Sequence, residues 1–159
     1  MDNTQRNNAV NDAVTYHVDA NNIAIVTLNR AEKHNAFNDD MIAELERLFK
    51  KAGSDNSVRA LILRAEGKSF SAGADLNWMK KMASYTEAQN REDAMGLASM
   101  LHTLYTLPKP TIARVQGAAF GGAVGLIACC DIAIGSKLTN FCLSEVKIGL
   151  VPATISPYV

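Results

Sequence analysis

Neither sign of charge is in excess in this sequence, where sixteen Lys and Arg residues balance sixteen Asp and Glu. A chain without an overall field does not concentrate nucleic acid or an anionic membrane at its surface, so neither is expected as a partner. Cysteine is scarce: Cys129, Cys130 and Cys142 include a vicinal pair but no C-x-x-C, and all lie in apolar company. That pattern points to buried thiols in a reducing compartment, with no metal site and no disulfide. The opening MDNTQRNNAVND lacks an apolar run and an Arg-rich amphipathic pattern, so it reads as neither a secretory signal nor a transit peptide. Residues 1–12 are expected to form a disordered tail, with residues 13–159 as one domain of a cytoplasmic protein. Internal repeats and low-complexity runs are also missing.

What the chain does have is apolar residues, 48% of 159, enough for a substantial single core. VTYHV (14–18) and IAIVTL (23–28) read as strands joined by a turn at Asn21-Asn22. Asn38 suits the N-cap of a helix with Asp39 and Asp40 in its first turn. Met41, Ile42, Leu45, Leu48 and Phe49 form its apolar stripe, and Gly53 is expected to close it. VRALILR (58–64) has the look of a strand covered on both faces. Trp78, Met79 and Met82 stand at helical spacing and suit a core or pocket wall. Thr86 opens a long helix that Pro108 and Pro110 prevent from continuing past about Leu107. TIARV (111–115) is the next strand, followed by a helix from about Gly121 to Cys130 and two strand-like segments, DIAIG and NFCL. Strands alternating with helices imply an α/β fold, and the pattern alone suggests a doubly wound sheet. The final SEVKIGLVPATISPYV stops at Val159 without a polar tail or closing helix, so the chain is expected to be cut short.

Chemistry concentrates in GAAFGGAVGLIACCDIAIG (117–135), which packs four glycines into nine residues. A helix starting near Gly121-Gly122 presents N–H groups without intrahelical acceptors, and the absence of side chains lets a ligand oxygen approach them. G-x-x-x-G-G-x-x-G is neither a P-loop nor a dinucleotide fingerprint, since the lysine of the first and the ribose-binding acid of the second are missing. The remaining use of such a terminus is as one arm of an oxyanion hole, and FSAGADL (70–76) offers a second loop with accessible backbone.

Taken together, L-N-R-A-E-K-H-N-A (28–36), F-S-A-G-A-D-L, P-T-I-A-R-V-Q-G-A-A-F-G-G-A-V-G, C-D-I-A-I and S-E-V-K-I-G-L-V-P, in this order, resemble the crotonase superfamily of enoyl-CoA hydratases and isomerases. The resemblance runs from about residue 14 to residue 159. It implies a superhelix of ββα turns in place of the doubly wound sheet, with C-terminal helices lying beyond Val159, and assembly as a homotrimer or a dimer of trimers. It assigns the backbone N–H groups of Ala74 and Gly122 to an oxyanion hole for a thioester carbonyl. Around the bound CoA it places Arg30, Lys33, Ala36, Ala72, Asp75 and Leu76, with Arg30 and Lys33 directed at phosphates. Ala31 stands where the family has proline, which is expected to loosen that loop.

Hydratases of the best-known type in this family carry one glutamate three positions after the oxyanion glycine and another twenty positions later. Here those positions are Gly125 and Glu145. The resemblance therefore implies a hydratase working with the single carboxylate Glu145 as general acid/base and needing no cofactor beyond its CoA-thioester substrate. The same residue fits a Δ3,Δ2-enoyl-CoA isomerase, and the missing partner fits a silent acyl-CoA-binding relative. FSAGADLNWMKKM and SEVKIGLVPATISPYV are similar to a bacterial branch that resembles methylglutaconyl-CoA hydratases of leucine breakdown. Such a substrate calls for a cation or hydroxyl near the pocket, for which Ser156, Tyr158 and Lys147 are the candidates.

Overall fold

The computed structural model describes residues 13–159; the tail expected at 1–12 lies outside them. Strands β1 (Val14–Val18) and β2 (Ile23–Leu28) pair antiparallel, with Val14 opposite Leu28. Their turn forms at Asn21-Asn22 as the sequence suggests, with Asn22 in the left-handed region at φ 62°. Asp19 organises it, its Oδ1 accepting from the N–H groups of Asn21 and Ile23 at 2.9 and 2.8 Å.

Helix α1 (Asp39–Ser54) starts where its cap predicts, with Asn38 Oδ1 accepting from Met41 N–H at 3.1 Å. Its apolar stripe is buried, joined by Ala52. Gly53 does not end it. The helix runs through to Ser54, and a Cβ on Gly53 would stand 3.3 Å from Leu107 Cδ1, so this glycine makes room for a neighbouring segment.

Strand β3 (Ala60–Ala65) pairs parallel with β2. It is not covered equally on both faces, as its apolar run suggested. Leu61, Leu63 and Ala65 are buried while Ala60, Ile62 and Arg64 are half-buried, Arg64 donating from Nε to Thr27 Oγ1. Helices α2 (Leu76–Met82) and α3 (Glu87–Tyr105) follow. A reciprocal pair caps α3, Gln89 N–H to Thr86 Oγ1 and Thr86 N–H to Gln89 Oε1. Next come β4 (Thr111–Val115), β5 (Ala118–Phe120), α4 (Gly122–Ala128), β6 (Ile132–Gly135) and β7 (Asn140–Cys142), then a 3-10 turn over Ser144–Ile148.

The main sheet has the order β1-β2-β3-β4-β6, parallel except for β1. Each new strand joins the same growing edge. A doubly wound sheet reverses its order midway, and this one does not, which corrects the expectation from pattern alone. A second layer comprises β5 paired parallel with β7, continued by single bridges from Ser71 to Ala119 and from Phe37 to Ala74. Each turn of chain thus adds a main-sheet strand, a short piece of the second layer and then a helix: β2, Phe37, α1; β3, Ser71 to Ala74, α2 and α3; β4, β5, α4. This is the ββα repeat that the resemblance implied. Phe49, Phe70, Leu28, Met41, Leu61 and Leu63 are among the fully buried side chains between the layers.

Cys129 and Cys130 lie at the end of α4, and burial pushes both thiols up to about 12. At pH 8 their thiolate fraction is on the order of 10⁻⁴, so alkylation of both in the native protein should be at least about 10³-fold slower than that of glutathione in the same tube. Mass spectrometry after timed iodoacetamide quenching reads this directly, and rapid native labelling would contradict the burial.

Candidate active site

Two loops meet at the second layer. Gly117, at φ 60°, sits so close to the Lys68 carbonyl that any Cβ would collide with it, so the close approach of the loops after β3 and β4 requires glycine. From there Ser71 N–H donates to Ala118 O at 3.1 Å and Phe120 N–H to Ser71 O at 3.0 Å. Gly73 turns the chain at φ 92°, its N–H donating to Ser71 Oγ.

Beyond that turn, Phe37 N–H donates to Gly73 O and Asp75 N–H donates to Phe37 O, both at 2.7 Å. In a parallel bridge the partner residue's neighbours make the bonds, so the N–H of Ala74 between them faces away from Phe37. Ala74 is exposed to the cleft on that side. Gly122 opens α4 behind Gly121, whose own N–H donates to Cys142 O at 2.9 Å. As the first helical residue Gly122 has no acceptor one turn back, so its N–H is available too.

Glu145 enters from the turn after β7. Its Oε1 would stand 3.1 Å from a Cβ on Gly121, so the carboxyl lies against the start of α4. Its Oε2 is buried and has no hydrogen-bond partner among the described residues. A buried carboxylate oxygen left unpaired is costly, and such oxygens mark sites awaiting a partner. Ala74, Gly122 and Glu145 all line one cavity of about 240 Å³. Trp78, Met79 and Met82 form a wall of the same cavity, as their spacing allowed. The opposite side comes from Leu150 to Ile155.

Two features of this cavity had no signal in the sequence. Ile155 occupies the space above Gly125: a Cβ there would come within 2.5 Å of Ile155 Cβ, so the position is filled by packing and holds no vacant slot for a longer side chain. Asp93 of α3 also lines the cavity, its Oδ1 accepting from Trp78 Nε1–H at 3.2 Å. An acid on a helix surface fifteen residues from its partner has no spacing that reveals it.

The residues assigned to CoA divide. Arg30 Nη1 donates to Ala36 O at 2.9 Å, and Nη2 pairs with Asp75 Oδ2 at 3.1 Å. Asp75 also caps α2 by accepting from Asn77 N–H, and that bond, with Arg30 adding to it, holds its carboxyl below the usual carboxylate range. The guanidinium therefore ties the 30–37 loop to the Ala74 loop instead of standing free for a phosphate. Ala36 is buried and contributes its carbonyl to this clamp, while Ala72 is exposed and its N–H donates to His34 O. Leu76 projects at 73% exposure, and Lys33 is exposed at the end of a short 3-10 turn. Ala31 does not loosen that turn, which His34 N–H closes onto Ala31 O while the Ala31 methyl packs beside Gly67.

Asn35 holds both loops and was not singled out from sequence. Fully buried at φ 52°, it accepts from Arg30 N–H at 2.8 Å and donates to Glu66 O and Ser69 O at 2.8 and 2.9 Å. Those three partners also settle which end of the amide is oxygen.

Comparison with known proteins agrees with this geometry. A family model described as enoyl-CoA hydratase/isomerase matches residues 19–159. An enoyl-CoA hydratase of Alternaria alternata is 38% identical over 134 residues, 84% of this chain and 43% of that protein. A trans-2-decenoyl-[acyl-carrier-protein] isomerase of Streptococcus mutans is 34% identical over 140 residues, 87% of this chain and 53% of that protein. A solved enoyl-CoA hydratase from Shewanella pealeana superposes with a TM-score of 0.90 at 50% identity, covering 92% of this chain and 55% of the other. The chain thus spans about half the length of the relatives it matches. With the ββα spiral, the paired backbone loops and these matches in agreement, the chain belongs to the enoyl-CoA hydratase/isomerase family, the crotonase superfamily.

Proposed function

We propose that this protein adds water reversibly to a 2-enoyl-CoA thioester, using Glu145 as its one acid/base group. The observation that carries the reading is the unpartnered Glu145 Oε2 in the same cavity as the N–H groups of Ala74 and Gly122. The thioester oxygen accepts hydrogen bonds from those two groups, and Glu145 faces the reacting carbons through a water. As the water oxygen bonds to C3, Glu145 takes one of its protons and the C2=C3 pair moves onto the thioester oxygen as an enolate. The enolate then collapses, C2 takes the proton back from Glu145, and the carboxylate is restored. Each backbone donor aimed at the enolate oxygen contributes on the order of 3 kcal/mol. The reaction so drawn uses no cofactor.

A second reading is Δ3,Δ2 isomerisation, favoured by the packing of Ile155 over Gly125, which leaves Glu145 without the glutamate partner of two-carboxylate hydratases. The same carboxylate would move a proton from C2 to C4 while the double bond shifts. Incubation of the full-length protein with crotonyl-CoA in H₂¹⁸O separates the readings: label is expected in 3-hydroxybutyryl-CoA. Interconversion of 3-enoyl and 2-enoyl thioesters without label would establish the isomerase, and binding without either conversion the silent acyl-CoA binder.

A 3-methylglutaconyl group is the finer substrate reading that the branch resemblance implies. Its distal carboxylate needs a donor, and the candidates have other positions: Ser156 Oγ donates to Ala153 O, Tyr158 packs against Tyr105 in a tilted contact with ring centroids 5.2 Å apart, and Lys147 is exposed. Thr154 is the hydroxyl residue in the wall. The wall as described suits a neutral acyl group better. Cytoplasmic location and a homotrimer or dimer of trimers complete the proposal. Ile132, Ile134, Phe141, Val146 and Val151, all more than half exposed, offer apolar surface to the rest of a full-length chain or to other subunits.

A further inference from the structure

The charged side chains in the described wall of the cavity are two carboxylates, Glu145 and Asp93. Glu145 is taken up by the chemistry proposed above; Asp93 is not. It lines this cavity together with Trp78, Met79, Met82 and Leu97, and on its other side shares a groove with Asp39 and Glu46 of α1. Trp78 Nε1–H donates to Asp93 Oδ1 at 3.2 Å and holds the half-buried carboxyl beside the indole. Trp78 is itself buried, which makes the pair part of the wall's packing.

Other charges face it from two elements. Lys81 of α2 and Asp39 of α1 pair with each other at 3.7 Å, so the cation that acts on Asp93 is already partly neutralised. Burial, with Asp39 adding to it, raises the Asp93 carboxyl above its ordinary value, and the Trp78 bond opposes that rise. Neither Lys81 nor Asp39 lines the cavity, so an acyl group inside it meets Asp93 itself.

We propose that Asp93 is a specificity-determining residue of this cavity, where its fixed carboxylate excludes acyl groups carrying a second carboxylate and admits neutral ones. The inference rests on reading the cavity as an acyl-CoA site. Discrimination here is repulsive: a like charge brought within a few ångströms in an apolar wall is disfavoured, while a short alkyl chain meets only the hydrophobic part of the wall. Trp78 gives the device its rigidity.

The test uses saturated thioesters, which cannot be hydrated or isomerised, so its result is independent of turnover. Butyryl-CoA and glutaryl-CoA are titrated calorimetrically into the full-length protein and into Asp93→Asn, which keeps an oxygen for Trp78 but loses the charge. The wild type is expected to bind butyryl-CoA at least about tenfold more tightly. In the variant the gap should narrow to about threefold or less, chiefly through tighter glutaryl-CoA binding. Asp93→Leu, which fills the wall without a hydrogen bond, should narrow it in the same sense if the amide variant is misfolded. Equal wild-type affinities, or a gap that survives removal of the charge, would overturn the proposal. Preference for butyryl-CoA by a protein that hydrates nothing would leave it standing and sink the hydratase, whereas failure to bind either thioester would remove both.

Discussion

Glu145→Gln is expected to lower turnover on a 2-enoyl-CoA by about 10²- to 10⁴-fold while leaving CoA-ester binding within a few-fold of wild type. The amide preserves the volume of the side chain beside Gly121, so the start of α4 need not shift. What it removes is the proton transfer proposed for Glu145, from water to carbon. Binding should survive because, in the proposed mechanism, the thioester oxygen is held by the N–H groups of Ala74 and Gly122, and no side chain at 145 supplies those. The measurement is kcat from the loss of enoyl-thioester absorbance, paired with a titration of butyryl-CoA. Equal turnover in the variant would remove Glu145 from the mechanism. A parallel loss of binding would assign it to the shape of the pocket.

The second large effect concerns a residue remote from the acid/base chemistry. Asn35→Ala is expected to destabilise the protein by about 3 kcal/mol, because it strands the Glu66 and Ser69 carbonyls and the Arg30 N–H, each costing on the order of 1 to 3 kcal/mol when buried and unpaired. The left-handed backbone at φ 52° adds strain that asparagine tolerates better than alanine. A fall in the urea midpoint with an unchanged slope is the signature of a pure stability loss. Activity should fall as well, since Asn35 and the Arg30–Asp75 pair together hold the loop whose next residue along the bridge is Ala74. A variant of wild-type stability would mean that the two loops hold their places without this clamp.

Much of the local structure was legible because its causes lie within a few residues. Asn38 and Thr86 cap the helices they were expected to cap, and the strands at 14–18, 23–28 and 111–115 fall where their residue types put them. Strand β5 was missed because three residues between glycines carry no periodicity; Ala118 to Phe120 becomes a strand only by pairing with Ser71 and with Asn140 to Cys142. Gly53 was misjudged for a similar reason, since the contact that demands its small size comes from Leu107.

The sequence by itself determined the family, through backbone-dependent motifs whose glycines and small residues are needed wherever two chains or a ligand approach closely. It also showed that the position three residues after Gly122, where the best-known hydratases carry a glutamate, is a glycine with no group to titrate. Only the tertiary structure decided how the cavity is walled and how its loops are held. Ile155 fills the space over Gly125, Arg30 turns to Asp75 and Ala36, and Trp78 draws Asp93 into the cavity wall. The Ile155, Arg30–Asp75 and Trp78–Asp93 contacts each join different elements of the fold. Hydrogen-bonding and helical periodicities decay within a turn or two of chain, whereas the meeting of Asp93 with Trp78 depends on how the chain turns back between α2 and α3.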